Sequence, residues 1–264
     1  MSPLSLDLGW FEAALNVTDI ERSRAFYETL GFQPASGVAE DGVAALYKDD
    51  CSLTLYQGHL DPDRPQLIFW QGDVEVVARD LEVRDVGFHA PLQQDGAGDA
   101  SFMLIDPDGH PLFFITMKKY DGNSPAAGPD GRRVRARQHP AKAHGDDEYG
   151  WFEFSLPVRD MAASVDFYRR LGFRIVEDHD PRNITLVDND CRLSLYEGYL
   201  DPDRPQLIFW QGDIDRIERD LIARGLRPEP RLTDARGTGL MLFDPDGHPL
   251  YFVNIKGLTR GERR

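Results

Sequence analysis

The feature that most constrains this chain is an internal copy. Residues Leu60 to Asp73 read LDPDRPQLIFWQGD, and the same fourteen residues return at Leu200 to Asp213. GWFE at Gly9 recurs at Gly150, FYETLGF at Phe26 recurs as FYRRLGF at Phe167, and DPDGHPLFF at Asp106 recurs as DPDGHPLYF at Asp244. The period is that of a whole domain and far exceeds a solenoid repeat. The chain therefore reads as one domain duplicated, with domain one at 1–117, a linker at 118–149 and domain two at 150–264.

Each half is long enough to close its own core. The formal net charge of −15 argues against nucleic acid, because phosphate binding needs a basic face. Neither terminus shows a signal pattern and no apolar run reaches membrane-spanning length, so a cytoplasmic protein is expected. Cys51 and Cys191 occupy matching positions at the start of a strand and read as small buried thiols in a reducing compartment. The linker is rich in Gly, Pro, Ala and charge and carries no periodicity.

Within domain one, Trp10–Val17 alternates as a strand. Thr18 with Glu21 reads as a capping box opening a helix, and Ser23, Phe26, Tyr27 and Leu30 share one helical face. Gly31 ends that helix as a left-handed cap. Strands follow near 32–35, 43–48, 52–57 and 66–71. Asp73 then opens a second helix reaching about Arg84, followed by three strands ending at Met117. A fainter half-repeat relates Glu12…Asp19 to Gln66…Asp73, so each domain is itself two strand–helix–three-strand modules. The expected fold class is α+β, with tandem βαβββ modules whose curved mixed sheets form cups and carry their helices on the outer face.

The pattern D-x-x-x-S-x-x-FY-x-x-LGF at Asp19 and Asp160, with a later DPDG-x-x-L, resembles the vicinal oxygen chelate superfamily. That group includes glyoxalase I, extradiol dioxygenases, methylmalonyl-CoA epimerase, and fosfomycin- and bleomycin-resistance proteins. The resemblance covers nearly the whole chain outside the linker. It implies four modules, cups that hold the ligand, and an intrachain pseudo-dimer that could itself pair into a homodimer. In many such proteins sites form between domains, which would set Glu12 with Gln206 and Glu153 with Gln66. Carried across position by position, the superfamily's metal ligands fall at Glu12, Thr54, Gln66 and Phe113 in domain one, and at Glu153, Ser194, Gln206 and Tyr251 in domain two. Phenylalanine offers no donor, Thr, Ser and Tyr are weak ligands at neutral pH, and no histidine stands at any of these places. Divalent transition metals want several imidazole or carboxylate donors. The sequence thus gives no metal ligand set and disfavours a divalent metal cofactor.

Strand alternation turns Trp10, Glu12, Tyr56, Gln66, Trp70 and Phe113 into the first cup, and Trp151, Glu153, Tyr196, Gln206, Trp210 and Tyr251 into the second. All four tryptophans fall on these faces. They could equally be core or interface packing. As a site, each cup would stack a flat or apolar ligand and anchor a cationic or hydroxylated group. Glu12 and Glu153 are the candidate catalytic or anchoring residues, because a carboxylate mid-strand in an enclosed space is costly unless paired or used. His110 and His248 read as turn structure. Three functions follow in order: a small-molecule binder of the bleomycin-resistance kind, a metal-dependent lyase, isomerase or dioxygenase of the glyoxalase kind, and a structural or partner-binding scaffold. Whether the chain is an enzyme stays open at this level.

Overall fold

The computed structural model describes residues 6, 8–35, 42–58, 60, 66–96, 98–117, 149–188, 190–198, 200 and 206–258. Linker residues 118–148 and the two DPDRP loops, along with His59, lie outside that set, and with them His139 and His144. Domain one runs β1 (Gly9–Val17), α1 (Ile20–Thr29), β2 (Gln33–Pro34), β3 (Val43–Lys48), β4 (Cys51–Gln57), β5 (Gln66–Gln71), α2 (Val74–Val83), β6 (Ala90–Gln94), β7 (Ala100–Ile105) and β8 (Pro111–Thr116). Domain two repeats the order as β9 (Gly150–Val158), α3 (Met161–Leu171), β10 (Arg174–Asp180), β11 (Asn183–Asp188), β12 (Cys191–Glu197), β13 (Gln206–Gln211), α4 (Ile214–Ala223), β14 (Leu232–Thr233), β15 (Gly237–Phe243) and β16 (Pro249–Ile255).

Each domain makes one eight-stranded mixed sheet, ordered β2-β3-β4-β1-β5-β8-β7-β6 and β10-β11-β12-β9-β13-β16-β15-β14. The two modules of a domain meet where β1 runs antiparallel to β5, with Trp10 opposite Trp70 and Glu12 opposite Ile68. Gly9 starts that seam. A Cβ there would lie 2.1 Å from the Trp70 carbonyl, at φ +93°, and Gly150 is equally closed against Trp210. Only glycine permits such an approach, which explains the glycine that opens GWFE in both copies. In the expected fold class, α+β with tandem modules, the sheets stay open.

Alternation separates two faces. Phe11, Ala13, Leu15 and Val17 join a core that also contains Phe154, Leu156 and Phe209 of domain two. Phe11 meets Phe154 with ring centroids 5.9 Å apart, and Phe69 meets Phe173 at 6.3 Å. The helix-bearing faces of the two sheets thus share one core. The opposite faces carry separate apolar clusters around Ile68 and around Ile208.

Contacts between the domains come in pairs related by the duplication. Phe11 N donates to Asp190 at 3.1 Å and Phe152 N to Asp50 at 2.8 Å. Tyr27 Oη donates to Asp244 at 3.0 Å and Tyr168 Oη to Asp106 at 2.9 Å. Burial and the neighbouring aspartates push both phenols well above their ordinary range, so both remain donors. Asp246 accepts from Thr18 N, Thr18 Oγ1 and Ser23 Oγ, while Asp108 accepts from Arg159 N and Ser164 Oγ. The DPDG turn of each domain therefore clasps the first helix of the other.

Two local expectations change accordingly. The cap of α1 is Asp19, which accepts from Arg22 N at 3.1 Å. Thr18 is drawn away to Asp246, so the capping box is not formed. His110 does serve its turn, with N and Nδ1 both bonded to Asp106. His248 does more, since its Nε2 lies 2.9 Å from the Asn16 carbonyl across the domain boundary. No helix among the described residues is long and apolar enough to cross a membrane, which says nothing of a β-barrel.

Candidate functional site

The register places matching rows across the two cups. In domain one the row reads Glu12 on β1, Ile68 on β5, Phe113 on β8 and Met103 on β7. In domain two it reads Glu153, Ile208, Tyr251 and Met241. The carboxylate thus stands at one side of an apolar floor, with an aromatic ring two strands away. Tyr56, Trp70 and Phe113 pack on Ala14, Ile68 and Ile115, and Trp210 and Tyr251 pack with Tyr196 on Ile208 and Val253.

Glu12 is 6% exposed. Its Oε2 accepts from Trp70 Nε1 at 2.7 Å and from Thr54 Oγ1 at 2.7 Å. The three residues share one sheet face because β1 lies between β4 and β5. Two short donors to one oxygen offset much of the cost of burying a carboxylate. Gln66 stands opposite Ala14 on the same sheet, one pair along from the Ala13–Leu67 step. Gln206 likewise stands opposite Ser155. The amide that shares a sheet with Glu12 is therefore Gln66, not Gln206, and the expected cross-domain pairing of Glu12 with Gln206 and Glu153 with Gln66 gives way to one cup per sheet.

Glu153 is more buried, at 2% exposed. Trp210 Nε1 donates to its Oε1 at 3.1 Å, repeating the indole contact of the first cup. Here a cation also enters: Arg192 Nε donates to Oε2 at 2.9 Å. Burial pushes the Glu153 carboxyl up, and Arg192, Ser194 and Trp210 pull against that without cancelling it. Arg192 stands where domain one has Ser52. The Ser52 hydroxyl is buried without a hydrogen-bond partner, as are Ser155 Oγ and Trp151 Nε1 in the second cup.

The superfamily's ligand positions do not assemble a transition-metal chelate. Thr54 spends its hydroxyl proton on Glu12, which is also engaged by Trp70. Phe113 presents only carbon, and Tyr251 presents a phenol pushed above its ordinary range by burial. At these positions, among the described residues, that leaves one carboxylate and one amide per cup, fewer charged or imidazole donors than transition-metal sites commonly use. Among the described residues, no group of three or more His, Cys, Asp or Glu side chains gathers as a metal site.

A family profile covers both domains. The profile of the Glyoxalase/Bleomycin resistance protein/Dioxygenase superfamily matches residues 9–114 and 150–252. The chain belongs to this superfamily, with two tandem domains. Among curated proteins no match is found. The fold is similar to a catechol 2,3-dioxygenase, at 15% identity and TM-score 0.61, covering 98% of this chain and 91% of that one. It is similar to the Mn(II)-bound glyoxalase of Novosphingobium aromaticivorans, at 15% identity and TM-score 0.61, covering 95% and 83%. It is also similar to a 2,3-dioxygenase of Pseudomonas sp. KL28, at 18% identity and TM-score 0.58, covering 95% and 93%. At these identities the likeness speaks for the fold alone.

The structure brings Glu12, Trp70 and Thr54 into direct contact, and Glu153, Trp210 and Arg192 likewise. Trp10 and Trp151 lie opposite Trp70 and Trp210 on the neighbouring strand. Phe113 and Tyr251 stand at the far side of each floor, next to Ile68 and Ile208. Arg192 escaped the sequence reading because it has no counterpart in the first copy. The signal was available as a single mismatch, CSLTLY against CRLSLY, inside an otherwise repeated strand.

Proposed function

We propose that this superfamily member binds a small aromatic or cationic molecule in an aromatic cup whose polar anchor is a glutamate, without a transition metal in that cup. The observation that carries this reading is the indole-to-carboxylate bond repeated in both cups, at 2.7 Å for Trp70–Glu12 and 3.1 Å for Trp210–Glu153. A carboxylate oriented by an indole N–H beside aromatic rings is suited to hold a cation or a hydroxyl at the edge of a stacked ring. The same reading makes Glu12 and Glu153 the acceptors of a proton from a bound substrate. Titration with aromatic amines, amidines and phenols tests the reading through tryptophan fluorescence and melting temperature. Quenching with a melting shift supports it, and a flat response across the whole panel removes it.

A second reading comes from the solved structures of similar fold, whose names include dioxygenases and a Mn(II)-bound glyoxalase. It makes the chain a divalent-metal-dependent lyase, isomerase or dioxygenase, using Glu12 with Gln66 or Glu153 with Gln206. It requires stoichiometric metal after growth with Mn, Fe, Ni and Zn, lost in the Glu12→Ala, Glu153→Ala double variant. Metal-free protein under those conditions rules it out.

A further inference from the structure

We propose that Asp190 and Asp50 are positioning residues that act across the domain boundary: each grips the strand that carries the other domain's glutamate, so the carboxylate of each cup is held in place by the opposite domain. This rests on the reading of Glu12 and Glu153 as polar anchors of the cups and names what fixes them.

A backbone N–H in a protein interior needs an acceptor. The parallel ladder of β1 with β4 begins at Ala13 and Leu53, and that of β9 with β12 at Phe154 and Leu193. The N–H groups of Phe11 and Phe152, each one residue before the glutamate, stand ahead of those first pairs. Asp190 accepts from Phe11 at 3.1 Å, and Asp50 accepts from Phe152 at 2.8 Å. A carboxylate acceptor makes such a bond stronger than a neutral one would. Asp190 immediately precedes β12 and Asp50 immediately precedes β4, so each is fixed by the strand that it opens. Strand β12 packs against β1 across the boundary. The far end of each glutamate strand is held from the same side. Thr18 N donates to Asp246 at 2.9 Å, and Arg159 N donates to Asp108 at 2.8 Å. The opposite domain therefore takes hold of β1 and of β9 on both sides of the glutamate. Inside each cup the carboxylate meets an indole, Trp70 for Glu12 and Trp210 for Glu153. Binding groups must keep their places to within about 0.5 Å, which requires supporting residues behind them. Asp190 and Asp50 supply that support from the other domain.

The test reads the indole N–H resonances of the four tryptophans in a proton–nitrogen correlation spectrum of the full chain, assigned through single Trp→Phe variants. Each indole bonded to a glutamate reports where that carboxylate stands. Asp50→Ala is expected to shift the Trp210 resonance, in the other domain, by more than that of Trp70. Asp190→Ala is expected to do the reverse, shifting Trp70 by more than Trp210. Asp50→Asn and Asp190→Asn keep a carbonyl acceptor at the same reach and should restore most of the wild-type positions. Asp50→Glu and Asp190→Glu displace the acceptor by one methylene. They should give the same crossed pattern, which keeps the test valid where the alanine variants fail to fold. A merely structural role in its own hairpin would make Asp50 move Trp70 ahead of Trp210. A shift at the indole of the mutated domain as large as or larger than that across the boundary overturns the inference. So does no shift at either indole, or an asparagine variant that shifts as far as alanine. These spectra need no ligand, so they decide the positioning role alone, whereas a flat response to the amine, amidine and phenol panel removes the cup reading.

Discussion

Replacing Arg192 by leucine tests whether the second cup is a buried ion pair. Glu153 is 2% exposed and meets Arg192 at 2.9 Å. Removing one partner of a buried pair costs about 3–5 kcal/mol, because the other charge is left uncompensated. The Trp210 N–H remains, and the carboxyl can take up a proton, so a loss of about 2–4 kcal/mol at pH 8 is expected. For a chain of this size that corresponds to a fall of about 4–16 °C in Tm. The pH dependence is signed. The folded-state value of Glu153 already lies above its ordinary one through burial, and Arg192 is the strongest influence holding it down. Without Arg192 it rises further. A carboxyl raised in the folded state contributes its full stability below its ordinary value and loses it as pH rises through the raised value. The deficit of Arg192→Leu relative to wild type should therefore be largest at pH 8 and shrink toward pH 5. Urea unfolding at both pH values measures it, and Glu153→Gln in the same background should recover much of the loss at pH 8. A deficit below about 0.5 kcal/mol, the scale of an exposed pair, or one unchanged between the two pH values, would refute the reasoning.

Three further outcomes follow from the domain clasp. Tyr27→Phe and Tyr168→Phe each remove a buried bond to an aspartate and should each cost about 1.5–3 kcal/mol in urea unfolding; because they lie at separate contacts, their effects should add to within about 0.5 kcal/mol. Burial tends to raise Asp246, but the bonds from Thr18 and Ser23 outweigh it and its carboxyl lies below the ordinary value. Its contribution is thus present above that ordinary value and lost as pH falls through the lowered one, so Asp246→Asn should flatten the acid limb of the stability profile. Thr18→Ala should lose its effect in an Asp246→Ala background, whereas Asp19→Ala, which removes the true helix cap, should still cost about 1 kcal/mol there.

Much of this architecture is legible in the sequence because its signals are local. Alternation in GWFEAALNV assigns the cup and core faces of β1, and the burial of Phe11, Ala13 and Leu15 follows it. The helix limits at Asp73 and Arg84 follow from a capping aspartate and a break in periodicity. What escaped are effects set by distant partners. Thr18 and Asp19 are both competent caps; Asp19 caps the helix, while Thr18 bonds Asp246, 228 residues away. The histidine and aspartates of the DPDG turn look like turn residues until the other domain's Tyr27 and Asn16 reach them. Arg192 was hidden for the opposite reason. Reading the copies for what they share passes over a cup position where they differ in charge.

On the function proposed above, each cup offers a glutamate oriented by tryptophan to an organic ligand rather than to a metal. That reading is tested most directly by a crystal structure of protein from metal-supplemented cells, soaked with benzamidine and recorded with anomalous data. A flat ligand is expected against the Trp70 and Phe113 wall, with its cationic end on Glu12 and no anomalous peak in either cup. An anomalous peak within coordination distance of Glu12 and Gln66, or of Glu153 and Gln206, would contradict it.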